Sequence, residues 1–189
     1  MKAVLATLVG LMALSGTPAQ AAPYAIDPTH TFVTFEVLHL GTSTSRGRFE
    51  KKEGTLDFDR DGKAGKIDIS IDTTSISTAV PALDRELQGD KFFNTAKFPS
   101  ARFVSERFTF EGDKLAAVSG NFTLLGVTQP LTLKATRFSC YFSPFLKREV
   151  CGGDFEASLQ RSRFGMTTYS PDLVGENVRL LIQVEAIKQ

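Results

Sequence analysis

Two histidines, His30 and His39, are the chain's candidates for a metal site or a catalytic base. Asp27 and Glu36 lie near them in sequence and would add carboxylate ligands. The two histidines differ in parity, so on one regular strand their side chains point to opposite faces of the sheet. This weakens a shared metal site, and the two acids are equally suited to a turn and to an exposed strand position.

A serine hydrolase remains a minor alternative, because the chain is rich in serine. The sequence has no Gly-x-Ser-x-Gly elbow, and two histidines leave little choice of base. No glycine-rich phosphate loop is present either. Asn121-Phe122-Thr123 matches a glycosylation sequon, but it falls within a predicted strand and we interpret it as a chance match.

Cys140 and Cys151 are the chain's two cysteines. A single pair in an exported protein usually forms a disulfide, and here the pair would close a loop that contains Pro144. Such a loop stabilises a fold by roughly 2–3 kcal/mol in the chain-entropy account. Two free thiols or a metal pair are the alternatives, although the spacing does not fit Cys-x-x-Cys redox or zinc chemistry.

Arg161 and Arg163 flank Ser162 just before Phe164-Gly165-Met166. One interpretation is a strand end whose arginines are solvated or paired with acids. The other follows from alternation, since Arg161 has the same parity as the inward Leu159. In that case Arg161 would contact the polar head of a bound amphiphile.

Residues 1–21 have the features of a secretory signal peptide. Lys2 supplies the positive start, residues 3–14 form an apolar run, and Ala19-Gln20-Ala21 predicts cleavage after Ala21. The run is too short for a membrane span of about 20 residues; the alternative is an N-terminal anchor that stays attached. We therefore expect a periplasmic protein without stable membrane insertion.

The remaining residues, 22–189, are long enough for a single domain with a substantial core. Without Lys2, the 22 basic residues fall to the same number as the 21 acidic ones. A near-zero charge argues against nucleic acid as a partner. Sixteen phenylalanines and no tryptophan suit a fully apolar interior.

Period-two alternation predicts an all-β chain of eight or nine strands with short turns. The clearest case is residues 66–73, where Ile67, Ile69 and Ile71 share one face. Residues 84–103 break the pattern with a short charged helix that is followed by Phe92, Phe93 and Phe98. We predict an eight-stranded antiparallel lipocalin-like barrel with this helical insert covering one end. A two-sheet sandwich is the alternative.

The chain resembles the YceI-like polyisoprenoid-binding proteins, which are periplasmic and have an extended lipocalin-like barrel. The resemblance extends through nearly the whole of residues 22–189. The motifs that carry it are Ile26-Asp27-Pro28-Thr29-His30-Thr31 with Phe35 and His39, Gly47-Arg48-Phe49, Asp90-Lys91-Phe92-Phe93-Asn94 with Phe98-Pro99, Gly120-Asn121-Phe122-Thr123-Leu124-Leu125-Gly126-Val127-Thr128, Cys151-Gly152-Gly153-Asp154 and Arg161-Ser162-Arg163-Phe164-Gly165-Met166. The family usually has Asp where Arg163 stands. The resemblance implies a long isoprenoid or similar amphiphile in an apolar cavity, and it does not imply catalysis.

We therefore expect a carrier of an isoprenoid or quinone-type lipid, acting as a monomer or homodimer, without a metal or a cofactor. An enzyme acting on a small apolar substrate and a solidly packed barrel with a stress or interaction role are the alternatives. The predicted ligand-binding residues are Phe35, Val37, His39, Phe49, Leu87, Phe92, Phe93, Phe98, Phe103, Phe122, Leu124, Leu159, Arg161, Phe164 and Met166.

Overall fold

The computed structural model describes residues 21–189, so the predicted signal peptide and its cleavage lie outside the described residues. Strands make up most of this part of the chain, and the one α-helix found in it, α1, spans Pro81–Gln88. The strands are β1 Ala22–Ile26, β2 Phe32–His39, β3 Ser43–Phe49, β4 Lys52–Asp59, β5 Ala64–Asp72, β6 Ile76–Ser77, β7 Ser100–Glu111, β8 Lys114–Leu124, β9 Val127–Ser143, β10 Arg148–Gln160 and β11 Val174–Lys188.

Eight of the strands form a closed antiparallel ring. The order is β1-β4-β5-β7-β8-β9-β10-β11, and β11 pairs with β1 to complete it. The first part of β11 pairs instead with β2. Strand β2 in turn pairs with β3, and β3 pairs with the short β6. The predicted all-β, eight-stranded barrel is therefore confirmed, with three additional strands beside it.

The predicted disulfide is confirmed, but its setting differs from the predicted loop. Cys140 and Cys151 are joined within the described chain and face each other as a register pair of β9 and β10. The two strands form a long hairpin that extends on both sides of the disulfide. The hairpin was not predicted because residues 139–143 lack a clean alternation of apolar and polar side chains.

The end of the barrel near the disulfide is filled with side chains. Phe58 packs edge-on against Phe138, with ring centroids 5.5 Å apart. Tyr24 is 3% exposed, and its hydroxyl donates to Glu149 Oε1 at 2.6 Å. This end of the barrel is therefore closed by packed rings and a partly buried hydrogen bond.

Residues 81–99, which we call the covering segment, lie at the other end. They comprise α1 and the irregular stretch that leads into β7. Val80 is the N-cap residue of α1 and makes no side-chain cap bond. Instead Asp84 accepts hydrogen bonds from the backbone N–H and hydroxyl of Thr78 at 2.7 and 2.6 Å.

A candidate ligand cavity inside the barrel

An apolar cavity occupies the half of the barrel next to the covering segment. Its volume is about 100 Å³, below the roughly 300–1,000 Å³ of most small-molecule sites, so the space is narrow. Eight strands contribute inward side chains to its wall. Arg161, which directly follows β10, is the one polar residue in the lining. The lining residues are Val33, Phe35, Phe49, Ile69, Ile71, Phe93, Ala101, Phe103, Phe122, Leu124, Leu131, Leu133, Leu159, Arg161, Met166, Val178, Leu180 and Ile182.

Three phenylalanine rings from different elements form one corner of the cavity. Phe93 packs edge-on against Phe49 at 5.4 Å and lies 6.4 Å from Phe35, measured between centroids. Gly47 pairs with Phe35 across β2 and β3, and a Cβ at Gly47 would collide with the Phe35 ring. The Gly47-Arg48-Phe49 motif therefore lets the Phe35 ring lie over the backbone and places Phe49 beside it.

A tight turn at residues 161–166 supplies another part of the cavity wall. Residues 161–164 form one turn of 3₁₀ helix, which ends at Gly165 with φ +83°, a left-handed conformation that favours glycine. The Gly165 N–H donates back to the carbonyl of Ser162 at 2.9 Å. The turn buries Arg161 and Met166 and leaves Arg163 exposed. Arg163 therefore adds no charge to the cavity wall.

Arg161 is buried, with 3% of its surface exposed. Its Nε donates to the carbonyl of Gly175 at 3.0 Å, and its Nη2 donates to those of Thr168 and Val174 at 2.7 and 3.1 Å. Burial lowers the pKa of the guanidinium, and the nearby Glu176 partly opposes this effect. Arg161 thus holds the link between β10 and β11 against the barrel while lining the cavity.

The structure brings nine of the fifteen predicted ligand-binding residues together around the cavity. They are Phe35, Phe49, Phe93, Phe103, Phe122, Leu124, Leu159, Arg161 and Met166. They come from separate elements of the chain, so the cavity exists only once the barrel has closed.

The other six predicted residues lie outside the cavity lining. His39 is exposed at the end of β2, and Val37, Leu87 and Phe98 are only partly buried. Phe92 is buried, but its ring faces Tyr169 at 6.2 Å. Phe164 packs edge-on behind Phe122 at 5.7 Å. These positions have apolar or family-motif character, but the backbone directs them to the rim or behind the wall.

Nine lining residues were not among the predicted site residues. They are Val33, Ile69, Ile71, Ala101, Leu131, Leu133, Val178, Leu180 and Ile182. Their signal is the strand alternation itself, which identifies the inward face. Alternation does not show which inward residues lie beside empty space and which are packed at the closed end of the barrel.

The two histidines do not come together. His30 is largely exposed, with its Nδ1 2.8 Å from Asp27 Oδ2 in the link between β1 and β2. Burial raises the pKa of Asp27, but hydrogen bonds from Thr29 and His30 outweigh it and bring the pKa to about 2. Glu36 pairs with Arg46 at 2.7 Å. Asp27 and Glu36 therefore have local structural roles.

No group of three or more metal-ligating side chains occurs within residues 21–189. Within the same residues, no helix is long and apolar enough to cross a membrane.

The family model of the YceI-like domain matches residues 24–186. A protein from Salmonella arizonae named Protein YceI is 37% identical over 188 residues, covering 97% of this chain and 95% of its own length. Proteins of the same name from Salmonella heidelberg and Salmonella dublin show the same identity and coverage.

Solved structures have the same fold. A Campylobacter jejuni YCEI protein variant superposes with a TM-score of 0.70 at 25% identity, covering 80% of this chain and 90% of its own. A polyisoprenoid binding domain from Saccharophagus degradans superposes with a TM-score of 0.65 at 17% identity, covering 89% of this chain and 99% of its own.

Proposed function

The chain belongs to the YceI-like family, and on that premise we propose that it is a carrier protein that holds one long-chain isoprenoid or similar amphiphilic lipid inside its barrel. The observation that carries the proposal is the cavity wall, in which seventeen of eighteen lining residues are apolar. An aliphatic chain gains about 0.8 kcal/mol for each methylene group that it buries. A narrow cavity with an apolar wall therefore favours a slender apolar tail.

Two further observations support binding over the alternatives. The lining residues include no histidine, cysteine, serine or carboxylate that could act as a nucleophile or a base. This favours a carrier over an enzyme. The cavity of about 100 Å³ favours a ligand-binding barrel over a solidly packed one, since protein interiors hold few voids larger than a water molecule. The relation to a polyisoprenoid binding domain of the same fold agrees with a lipid ligand.

Chain length is the variable that tests the proposal. Wild-type protein would be titrated with prenyl compounds of increasing length and one common head group. Affinity should rise with each added unit until the cavity is full and then level off, because burial of apolar surface supplies most of the binding energy. An affinity that does not depend on length would contradict the proposal. Mass spectrometry of organic extracts from protein purified without detergent would identify a natural ligand.

Phe93→Asp and Phe92→Asp form a matched pair for the same titration. Phe93 lines the cavity, whereas the adjacent Phe92 is equally buried but faces Tyr169. A charge at position 93 would lie against the tail, where an unpaired charge is costly. Binding should be lost in Phe93→Asp and retained by the folded fraction of Phe92→Asp. Equal binding by the two variants would place the ligand elsewhere.

We further propose that the carrier is periplasmic and starts near Ala22. The sequence of residues 1–21 supports this, with its positive start, apolar run and small-residue cleavage pattern. N-terminal sequencing of protein released by osmotic shock should read Ala22-Pro23-Tyr24. Recovery in the membrane pellet alone with Met1 intact would contradict it.

A further inference from the structure

Arg161 has one donor group that the fold leaves unused. Its Nε and Nη2 make the three bonds to backbone carbonyls described above. Its Nη1 is buried, and no acceptor within residues 21–189 reaches it. A buried donor without an acceptor is costly, and more so when the group is charged. The structural role of Arg161 in the β10–β11 link therefore accounts for the burial of Nε and Nη2. It does not account for the burial of Nη1 without an acceptor.

The positive charge of Arg161 also lacks a direct counter-ion among the described residues. Glu176 is a carboxylate whose negative charge favours the charged guanidinium and so opposes the effect of burial on its pKa. Its carboxylate, however, is occupied by the N–H of Ser162, at 3.1 Å, and by the hydroxyls of Ser162 and Ser170. The guanidinium thus keeps an unused donor and a positive charge that Glu176 compensates only in part, and its side chain lines an otherwise apolar cavity.

The position of Arg161 along the barrel is also informative. It directly follows β10 and lies in the turn that supplies Met166 to the cavity. Ile69, Leu133 and Ile182 line the same cavity from the interior of their strands. The one polar group is therefore at the end of the cavity near the strand termini, and the apolar wall extends from it into the barrel.

We propose that Arg161 Nη1 is the anchor for a hydrogen-bond-accepting oxygen of carbonyl or carboxylate type on the head of the ligand, which orients the apolar tail into the barrel. This inference rests on the proposed lipid-binding function and adds the chemistry of the head group and its direction. The ligand oxygen accepts from Nη1 and lies beside the unpaired positive charge. No bond to the backbone needs to break, because Nε and Nη2 keep their carbonyl partners.

Three probes with the same prenyl chain test the head group: a hydrocarbon, a methyl ketone and a primary amine that is protonated at neutral pH. In wild-type protein the ketone should bind roughly tenfold to a hundredfold more tightly than the hydrocarbon, the effect of a hydrogen bond from a charged donor. The ammonium probe should bind most weakly, since it brings a second positive charge to Arg161. Equal affinities, or a preference for the ammonium probe, would overturn the proposal.

Arg161→Gln separates the anchor from the structural role of the side chain. The substitution can weaken the β10–β11 link, but the ratio of ketone to hydrocarbon affinity within one variant is independent of how much protein is folded. That ratio should fall close to one in Arg161→Gln and stay at the wild-type value in Arg163→Gln, the control at an exposed arginine. A wild-type ratio in Arg161→Gln would overturn the proposal.

A direct measurement needs no variant with altered binding. In protein labelled with ¹⁵N-arginine, the side-chain N–H signals of Arg161 should shift and exchange more slowly when the ketone probe is added. The hydrocarbon probe should leave them nearly unchanged. Signals that respond identically to both probes would overturn the anchor while leaving the carrier function intact, whereas failure of every probe to bind would contradict both.

Discussion

Ala101→Leu would fill part of the cavity with carbon atoms of the protein itself. Ala101 is 3% exposed, lies on the inward face of β7 together with Phe103 and lines the cavity. Leucine adds three carbon atoms at this position. Because the cavity is narrow, each carbon that the protein adds displaces about one carbon of the ligand.

The same substitution should change stability and affinity in opposite directions. Three buried carbons contribute at most about 2.4 kcal/mol to stability, and fixing the leucine rotamer removes about 0.5–1 kcal/mol. We expect the free energy of unfolding to stay level or rise by up to about 1.9 kcal/mol. The ligand should lose about 2.4 kcal/mol of tail burial, which corresponds to roughly fifty-fold weaker binding.

Urea unfolding and titration with a long prenyl compound measure the two effects. Ala186→Leu is the control, since Ala186 is 1% exposed but does not line the cavity. Overpacking there should lower stability by about 1–3 kcal/mol and leave the affinity of the folded protein unchanged. The reasoning would be refuted if Ala101→Leu bound the ligand like wild type, or if it lost as much stability as Ala186→Leu.

Three further predictions concern the ends and links of the barrel. The pKa of Asp27 is held near 2, below its ordinary 3.8. Its contribution to stability should therefore be present above about pH 4 and lost as the pH falls toward 2. Urea unfolding at acid pH should show this loss in wild type and not in Asp27→Asn. Burial, reinforced by the hydrogen bond to Glu149, raises the pKa of Tyr24 to about 12. The contribution of Tyr24 to stability should therefore be present below about pH 10 and lost as the pH rises toward 12. Urea unfolding at alkaline pH should show a free energy of unfolding that depends less on pH in Tyr24→Phe than in wild type. Cys140→Ser should lower the free energy of unfolding by about 2–3 kcal/mol while the circular dichroism of the barrel persists, and two reactive thiols in unfolded, unreduced wild type would contradict the disulfide.

The sequence predicts which face of a strand is buried, but it does not predict height along the barrel. Val37 has the inward parity of Phe35, yet it lies beyond the cavity because β2 runs on toward the rim. Tyr24 and Phe58 are also inward and are packed at the closed end. Height depends on the register between neighbouring strands, which is set by pairings between residues far apart in sequence.

Irregular backbone limits prediction in a different way. Phe92 and Phe93 are adjacent in sequence and were both predicted to contact the ligand, but one faces Tyr169 and the other faces the cavity. No fixed periodicity applies to the stretch after α1, so sequence cannot separate them. The inward direction of Arg161 did follow from the parity of Leu159, because the strand alternation of β10 continues up to Gln160. Its three carbonyl partners could not be predicted, since the β10–β11 link has no regular pattern.

We expect the covering segment to determine how quickly a ligand enters and leaves the cavity. No residue of α1 is fully buried, and the helix is held mainly by partly buried leucines and by the bonds between Asp84 and Thr78. Segments with few buried contacts open far more often than the whole domain unfolds. Binding and release are therefore expected to be gated by local detachment of this helix, whereas equilibrium affinity is set by the barrel wall. Substitutions on the exposed face of α1 should leave equilibrium affinity unchanged, and those that loosen its attachment should accelerate association and dissociation equally.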